Sequence, residues 1–340
     1  MHEKKLQFIK EVFGEYKLCG KRENAIVVCP FCKSRKGNDY SKKKLNIKID
    51  NFLTHCWVCD YKSKGLKHII KKFYPQYLSK YELLDLEFEI SFEKNNIIEE
   101  KKIDLPHDFQ LLSILNTNYK TNYVQKALDY LFSRGVTEEE LWYYKFGISE
   151  EKDYRNRIII PSFNEYGELN YFIARDFTEK SRLKYLNPNL DRKNIVFNEI
   201  NINWKEPLII VEGIFDLIKC PSKNATCLLG SQLTPQYLLF KKIIKNKTPI
   251  LLALDPDAFD KTIKIAKTLL AYKVIQLDIL LLPRTIKDLG SLSKEEAKYY
   301  FQHNTINIQR IEDIIYYELV GYNENSTFSR YTLEGDCAPP

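Results

Sequence analysis

Four short apolar runs in the second half of the 340-residue chain constrain its fold more than any other feature. PLIIVE (207–212), TCLLG (226–230), PILLALD (249–255) and VIQLDILLL (274–282) are rich in Ile, Leu and Val and too short for helices. Helical stretches alternate with them, most clearly at 258–271. Buried runs alternating with helices predict a parallel sheet covered by helices on both faces. Glu212 closes the first run and Asp216 follows in EGIFD; Asp255 closes the third and Asp257 follows in DPD; Asp288 comes just after the fourth. Parallel strands deliver their ends to one edge, where α/β proteins bind ligands. Singly, each acid is explained as a helix N-cap. Together, five acids repel one another unless a cation joins them. Hard divalent cations take oxygen ligands, and Mg²⁺ typically uses one or two carboxylates plus substrate phosphates. Phosphoryl or nucleotidyl transfer is therefore the leading chemistry. Gly213 lets the backbone turn sharply beside Glu212, while Asp260, Asp278 and Asp313 read as surface acids.

The cysteines supply a second constraint. Eight in the chain are too sparse for a disulfide scaffold. Four of them form Cys29-x2-Cys32-x23-Cys56-x2-Cys59, two CxxC knuckles of the kind that converge on Zn²⁺. Four thiolates leave no open coordination position, so one structural zinc per chain is expected. His55 adjoins Cys56 and reads as a group beside the site or at the surface. Cys19, Cys220, Cys227 and Cys337 show no such pairing. Lys33, Arg35, Lys42, Lys43, Lys44 and Trp57 surround the knuckles, and lysines for phosphates with an aromatic for stacking suit single-stranded nucleic acid. Phe52 reads as core packing.

The net charge of +7 divides unevenly. Residues 1–75 hold 18 Lys and Arg against 7 Asp and Glu, a net of +11, which leaves −4 for the rest. A basic module ahead of a slightly acidic body suggests that the front meets a polyanion. KKLQFIKEVFGEY (4–16) has helical periodicity, 24–59 reads as short strands, and 65–74 as a short helix. Helices are expected at 123–132 and 137–145. RIIIPSF (157–163) and ELNYFIARDF (168–177) predict a hairpin, and 293–320 reads as helical. The resulting division is 1–77 zinc-binding, 78–106 acidic linker, 107–205 basic, 206–290 parallel sheet and 291–340 helical segment and tail. No apolar run is long enough to cross a membrane, and charged sequence follows Met1, so a cytoplasmic location is expected. No GxxxxGK[ST] loop occurs. The five histidines (2, 55, 68, 107, 303) lie outside the acid cluster, which disfavours a Ser-His-Asp hydrolase.

EGIFD, ALDPDAFDKT and IKD together resemble the metal-binding toprim domain of primases, topoisomerases and some nucleases. FIKEVFGEYKL leading into CPFC and HCWVCD resembles the N-terminal zinc domain of bacterial-type DNA primases. ALDYLFSRGVTEEELWYYKFGIS, RNRIIIPSFNEYGELNYFIARDF, LKYLNP and LLGSQLT resemble their RNA polymerase domain, in order. The resemblance covers residues 5 to 290 and is nearest to stand-alone phage primases of the T-even kind. It implies a zinc ribbon followed by an α/β RNA polymerase domain, and RNA primer synthesis on single-stranded DNA from ribonucleoside triphosphates. Glu212, Asp255, Asp257 and Asp288 would hold Mg²⁺ or Mn²⁺, with Asp216 auxiliary. Arg134, Arg157, Arg175 and Lys184 would grip template and nucleotide. A separate replicative helicase and, for a phage protein, the cytoplasm of a host bacterium are also implied.

Two departures stand out. Asp260 occupies a position where the family has glycine, and the third acidic motif offers only Asp288. The competing readings are a toprim-type nuclease or topoisomerase-like enzyme, and a non-catalytic zinc module that regulates a helicase.

Overall fold

Apolar side chains at helical spacing near the N-terminus form α1 (His2–Phe13), which buries Phe8, Ile9 and Val12. Lys5 shares that face, its amine donating to the Asp50 carbonyl and lying over the Phe52 ring. Leu6 and Phe13 are half-buried, so the buried stripe is rotated from the one the sequence suggests. The computed structural model describes residues 2–20, 22–37, 40–78, 80–84, 103–118, 121–230, 232–309 and 313. The chain divides into two units, residues 1–98 and 99–340. Among the described residues the strands form three sheets.

In the first unit, β1 (Lys17–Cys19), β2 (Asn24–Val28), β3 (Lys43–Lys48), β4 (Thr54–Cys56) and β5 (Lys62–Ser63) form an antiparallel meander in sequence order. Alternation fixes its faces: Ala25, Val27, Leu45 and Ile47 point into a core with Phe8, Phe52, Ile69 and Ile70. The short helices α2 (Pro30–Lys36) and α3 (Lys67–Phe73) complete it. Tyr81 and Leu84 belong to the same core, and the Tyr81 hydroxyl accepts from the Leu66 amide. The expected linker over 78–106 is therefore corrected at its start. It is corrected at its end too, where Ile103 and Leu105 pack against Ile159, Phe172 and Ala174 of the second unit. Residues 85–102, with most of its acids, lie outside the described residues.

The second unit has two sheets. β6 (Gln110–Leu111), β7 (Gly147–Ile148), β8 (Arg157–Phe163) and β9 (Leu169–Asp176) are antiparallel in order. β8 and β9 form the expected hairpin, its turn closed by Asn164 Oδ1, which accepts from the Tyr166 and Glu168 amides. Helices α4 (Leu112–Asn118), α5 (Asn122–Ser133) and α6 (Glu138–Tyr143) accompany it. Thr121 caps α5, and a capping box joins Thr137 and Glu140 at the start of α6.

The other sheet has the order β11 (Ala225–Cys227), β10 (Leu208–Val211), β12 (Ile250–Ala253), β13 (Leu277–Leu280), β14 (Thr305–Ile308). The first four pair in parallel. Leu208, Ile209, Ile210 and Val211 are all buried in succession, so both faces of the sheet are covered. Helices α7 (Ile214–Leu217), α8 (Leu238–Asn246) and α9 (Phe259–Ala271) alternate with the strands. One correction falls here. The helix expected over 293–320 is α10 (Lys294–His303), and the chain then returns as β14, antiparallel to β13. The sheet is thus mixed. Residues 310–312 and 314–340 lie outside the described residues.

A buried ion pair ties the two sheets' connections. Lys242 of α8 donates to buried Glu199, and at 3.0 Å to Glu165 Oε1 in the hairpin turn. Lys242→Met would leave Glu199 buried without its cation, so we expect a loss of about 3 kcal/mol in denaturant unfolding at pH 7. Adding Glu199→Gln should recover part of that loss. An unchanged unfolding midpoint in the single variant would show that the pair contributes nothing.

Candidate active site and metal centre

Each knuckle cysteine is placed by an element end. Cys29 precedes α2, Cys32 lies in its first turn, Cys56 ends β4 and Cys59 follows the turn after it. The pairs Cys29–Cys59 and Cys32–Cys56 bring their Sγ atoms to 3.7 Å, and all four sulfurs lie within 4.8 Å of one another. A tetrahedron with metal–sulfur bonds of about 2.3 Å has edges of about 3.8 Å. The donor set therefore fits a tetrahedral thiophilic ion such as zinc. Burial, with a neighbouring thiol adding to it, pushes the Cys32 thiol up to about 11 and raises Cys29 further. A bound cation reverses that preference.

His55 is not drawn into this set. Its Nε2 lies 2.8 Å from Asp60 Oδ1, and its ring packs against Trp57. Trp57 is 70% exposed, whereas Phe52 is in the core. Lys33, Arg35, Lys42 and Lys44 are exposed, and Lys43 is half-exposed. Cys19, Cys220 and Cys227 are free thiols outside the cluster; Cys337 lies outside the described residues.

In the second unit the strand order brings the expected acids together. β10 delivers Glu212, β12 delivers Asp255 and Asp257, and the loop after β13 delivers Asp288. Burial, then the charges of Asp216, Glu212, Asp288 and Asp257, push the Asp255 carboxyl up to about 8. All five acids thus act in one field. Asp288 Oδ1 is buried without a hydrogen-bond partner. Lys261 of α9 places its amine 2.8 Å from Glu212 Oε1, a built-in counter-charge. Among the described residues no three carboxylates close into a ligand set as tight as the cysteines'.

Asp216 plays a different part from the other four. Its Oδ2 accepts from the Gly213 amide at 2.9 Å and its Oδ1 from the Gly290 amide at 2.7 Å. Both oxygens are committed to backbone, so Asp216 pins the loop carrying Asp288 against the turn carrying Glu212. Burial is the main reason its own carboxyl rises to about 6, which the two amides only partly oppose. A Cβ at Gly290 would stand 3.0 Å from Asp216 Oδ1 and 3.1 Å from Phe215 Cβ, so a larger residue there would press on this clamp.

The cations expected beside the acids are divided by the structure. Arg175 of β9 is buried, with Nε donating to the Tyr130 hydroxyl at 2.9 Å and Nη1 to the Tyr185 hydroxyl at 2.6 Å. Burial, then Arg175, Lys287 and Arg134, lower the Lys184 amine, which Asp288 partly offsets. Arg134, Arg175 and Lys184 therefore share one field next to the acids. Lys287 joins them, and sequence reasoning missed it because the motif drew attention only to Asp288. Arg157 is as buried as Arg175, and its guanidinium donates to Ser181 Oγ and to the carbonyls of Ala174, Leu183 and Lys184. It holds the 181–184 segment, which bridges back to β9 at Arg175 and Tyr185. Asp260 is exposed in the first turn of α9. Asp278 accepts from Asn307 across β13 and β14.

No family model matches the chain. The DNA primases of Listeria innocua and Listeria monocytogenes are each 23% identical to it over 192 residues, covering 51% of this chain. Both relatives are DNA primases. The chain spans 30% of their length. Among solved structures, a DnaG primase catalytic domain bound to single-stranded DNA superposes with a TM-score of 0.48 at 18% identity, over 62% of this chain and 81% of that one. The Aquifex aeolicus primase, comprising zinc-binding and RNA polymerase domains, gives 0.45 at 16% identity, over 89% and 83%.

Two outcomes follow. Metal analysis should find one zinc per chain, and Cys56→Ser should release it and unfold the first unit, since such sites contribute about 10–16 kcal/mol to small zinc folds; a folded, metal-free first unit would contradict this. Asp255 and Asp216 titrate above their unfolded value of about 3.9. The stability they contribute is therefore complete below pH ~4 and is lost as pH rises through about 6 and 8. With zinc retained, the thermal midpoint should fall from pH 5 to pH 8.5 more steeply in the wild type than in Asp255→Asn, and Mg²⁺ should recover it. Equal slopes would contradict the crowding.

Proposed function

We propose that this chain is a template-directed primase, which joins ribonucleotides into short RNA primers on single-stranded DNA during replication. The observation that carries the reading is the meeting of two opposed clusters in one unit. Five acids from the ends of parallel strands lie in the same field as Arg134, Arg175, Lys184 and Lys287. Such a pairing suits a substrate that brings both phosphates and divalent cations. The sequence likeness to the Listeria primases supports it.

Glu212, Asp255, Asp257 and Asp288 would hold Mg²⁺ or Mn²⁺. Ions bound there would lower the pKa of the attacking 3′-hydroxyl and offset negative charge on the triphosphate. The chain's own residues do the positioning. Asp216 keeps the acid-bearing loops in register through its two amide contacts. Arg175, fixed by two tyrosine hydroxyls, presents a guanidinium at a set angle, and Lys184 and Arg134 add charge for triphosphate and template. Arg157 steadies the segment that carries Lys184. In the first unit, Lys33, Arg35, Lys42, Lys43 and Lys44 contact template phosphates, while exposed Trp57 stacks on a base.

The likeness noted in the sequence extends this to the stand-alone phage type, acting in a host bacterium's cytoplasm. Strand opening we assign to a separate replicative helicase, as the likeness implies. Among the described residues no helix is long and apolar enough to cross a membrane.

Incorporation of labelled ribonucleotides on a mixed-sequence single strand, with Mg²⁺ or Mn²⁺, tests the reading. Wild-type protein should give short template-dependent RNA, and Asp255→Asn should reduce it at least about a hundredfold. Undiminished synthesis by the variant would overturn the assignment of the acids. Cleavage of the strand without ribonucleotides would favour a nuclease.

A further inference from the structure

Phe215 lies within the acidic motif EGIFD and touches two residues of the basic cluster. It follows Ile214 in the single turn of α7 and directly precedes Asp216, whose carboxylate is gripped by two amides. The ring is buried, so its place is set by that turn. The guanidinium carbon of Arg134 lies over it at 4.8 Å from the centroid, and that of Arg175 at 5.3 Å. The edge of Tyr130, which also holds Arg175, meets it at 84°. Arg134 Nε is buried with no hydrogen-bond partner.

Two guanidiniums at one ring, with two lysines in the same field, repel each other when no anion is present. A benzene face carries negative charge density and attracts each cation. We propose that Phe215 is a positioning residue: its ring holds Arg134 and Arg175 in place, preorganised for the triphosphate of the incoming ribonucleotide. Arg175 has tyrosine hydroxyls to orient it as well, so Arg134 depends on the ring more heavily. Because Phe215 adjoins Asp216, one helical turn registers the phosphate-binding cations against the metal-binding acids. This rests on the proposed primase reading and assigns within it a residue that contacts no substrate.

The test separates ring electronics from packing. Replacing Phe215 by mono-, di- and trifluorinated phenylalanines keeps its shape while draining the ring face of charge. The readout is the dissociation constant for inorganic tripolyphosphate with Mg²⁺ present, measured on the zinc-loaded full chain. Affinity should weaken stepwise with fluorination, to about tenfold for the trifluoro ring. Phe215→Met should cost about the same, and Phe215→Tyr should restore near wild-type binding. In primer synthesis the KM for ribonucleotides should rise while kcat holds. Affinity unchanged across the fluorinated series, or no tripolyphosphate binding by the wild type, would overturn the proposal. Ribonucleotide incorporation by the wild type, assayed in parallel, separates the two ideas: a fluorination-dependent affinity without any primer synthesis would sink the primase reading alone.

Discussion

The architecture of the second unit turns on a repulsion. Burial, with the charges of neighbouring carboxylates adding to it, holds Asp255 near 8 and Asp216 near 6 at the ends of the parallel strands. Such crowding persists only where the fold enforces it, and here the enforcement is local. The Gly213 and Gly290 amides seize the two oxygens of Asp216, joining the turn after β10 to the loop after β13. Asp216 is thereby used as a clamp, while the other four acids lie in one another's field. Lys261 tempers the charge at Glu212, but Asp288 keeps a buried oxygen without a partner. These are the properties that the proposed divalent-cation site calls for.

The basic residues answer the same problem from the other side. Arg175 is locked by Tyr130 and Tyr185, Arg157 by the carbonyls of the segment it supports. One arginine is held by two tyrosine hydroxyls and the other by backbone carbonyls, though both lie in the same hairpin. Around Phe215 the two clusters come into register, so the placement of acids and the placement of cations share one helical turn. The first unit solves a smaller version of the same electrostatic problem. Four sulfurs at tetrahedral spacing substitute for the larger hydrophobic core that a short chain segment lacks.

Much of this was legible in the sequence because its signals are local. Apolar runs shorter than a helix announced the parallel strands, and an acid at a strand end needs no distant information to be noticed. The two CxxC spacings likewise carried their own geometry. What escaped depended on residues far apart. The clamp on Asp216 uses Gly290, 74 residues away. The Arg134–Phe215–Arg175 contacts join three separate elements. Arg157 and Arg175 look alike in sequence, and only the return of 181–187 along β9 separates their jobs. β14 was missed because TINI is a half-buried edge strand with Ile308 alone fully inside, which leaves little periodicity to read. The expected linker was too long because Tyr81 and Leu84 sit in an acidic stretch whose composition masks their burial.

The central claim is that the crowded carboxylates form a site for divalent cations. Titration of the zinc-loaded protein with Mn²⁺ at pH 8, following the resonance of the free ion, measures this directly. The account predicts saturable Mn²⁺ binding by the wild type that disappears in the Glu212→Gln, Asp255→Asn double variant while the thiolate-bound zinc stays in place. Equal Mn²⁺ binding by both proteins, or none by the wild type, would contradict it.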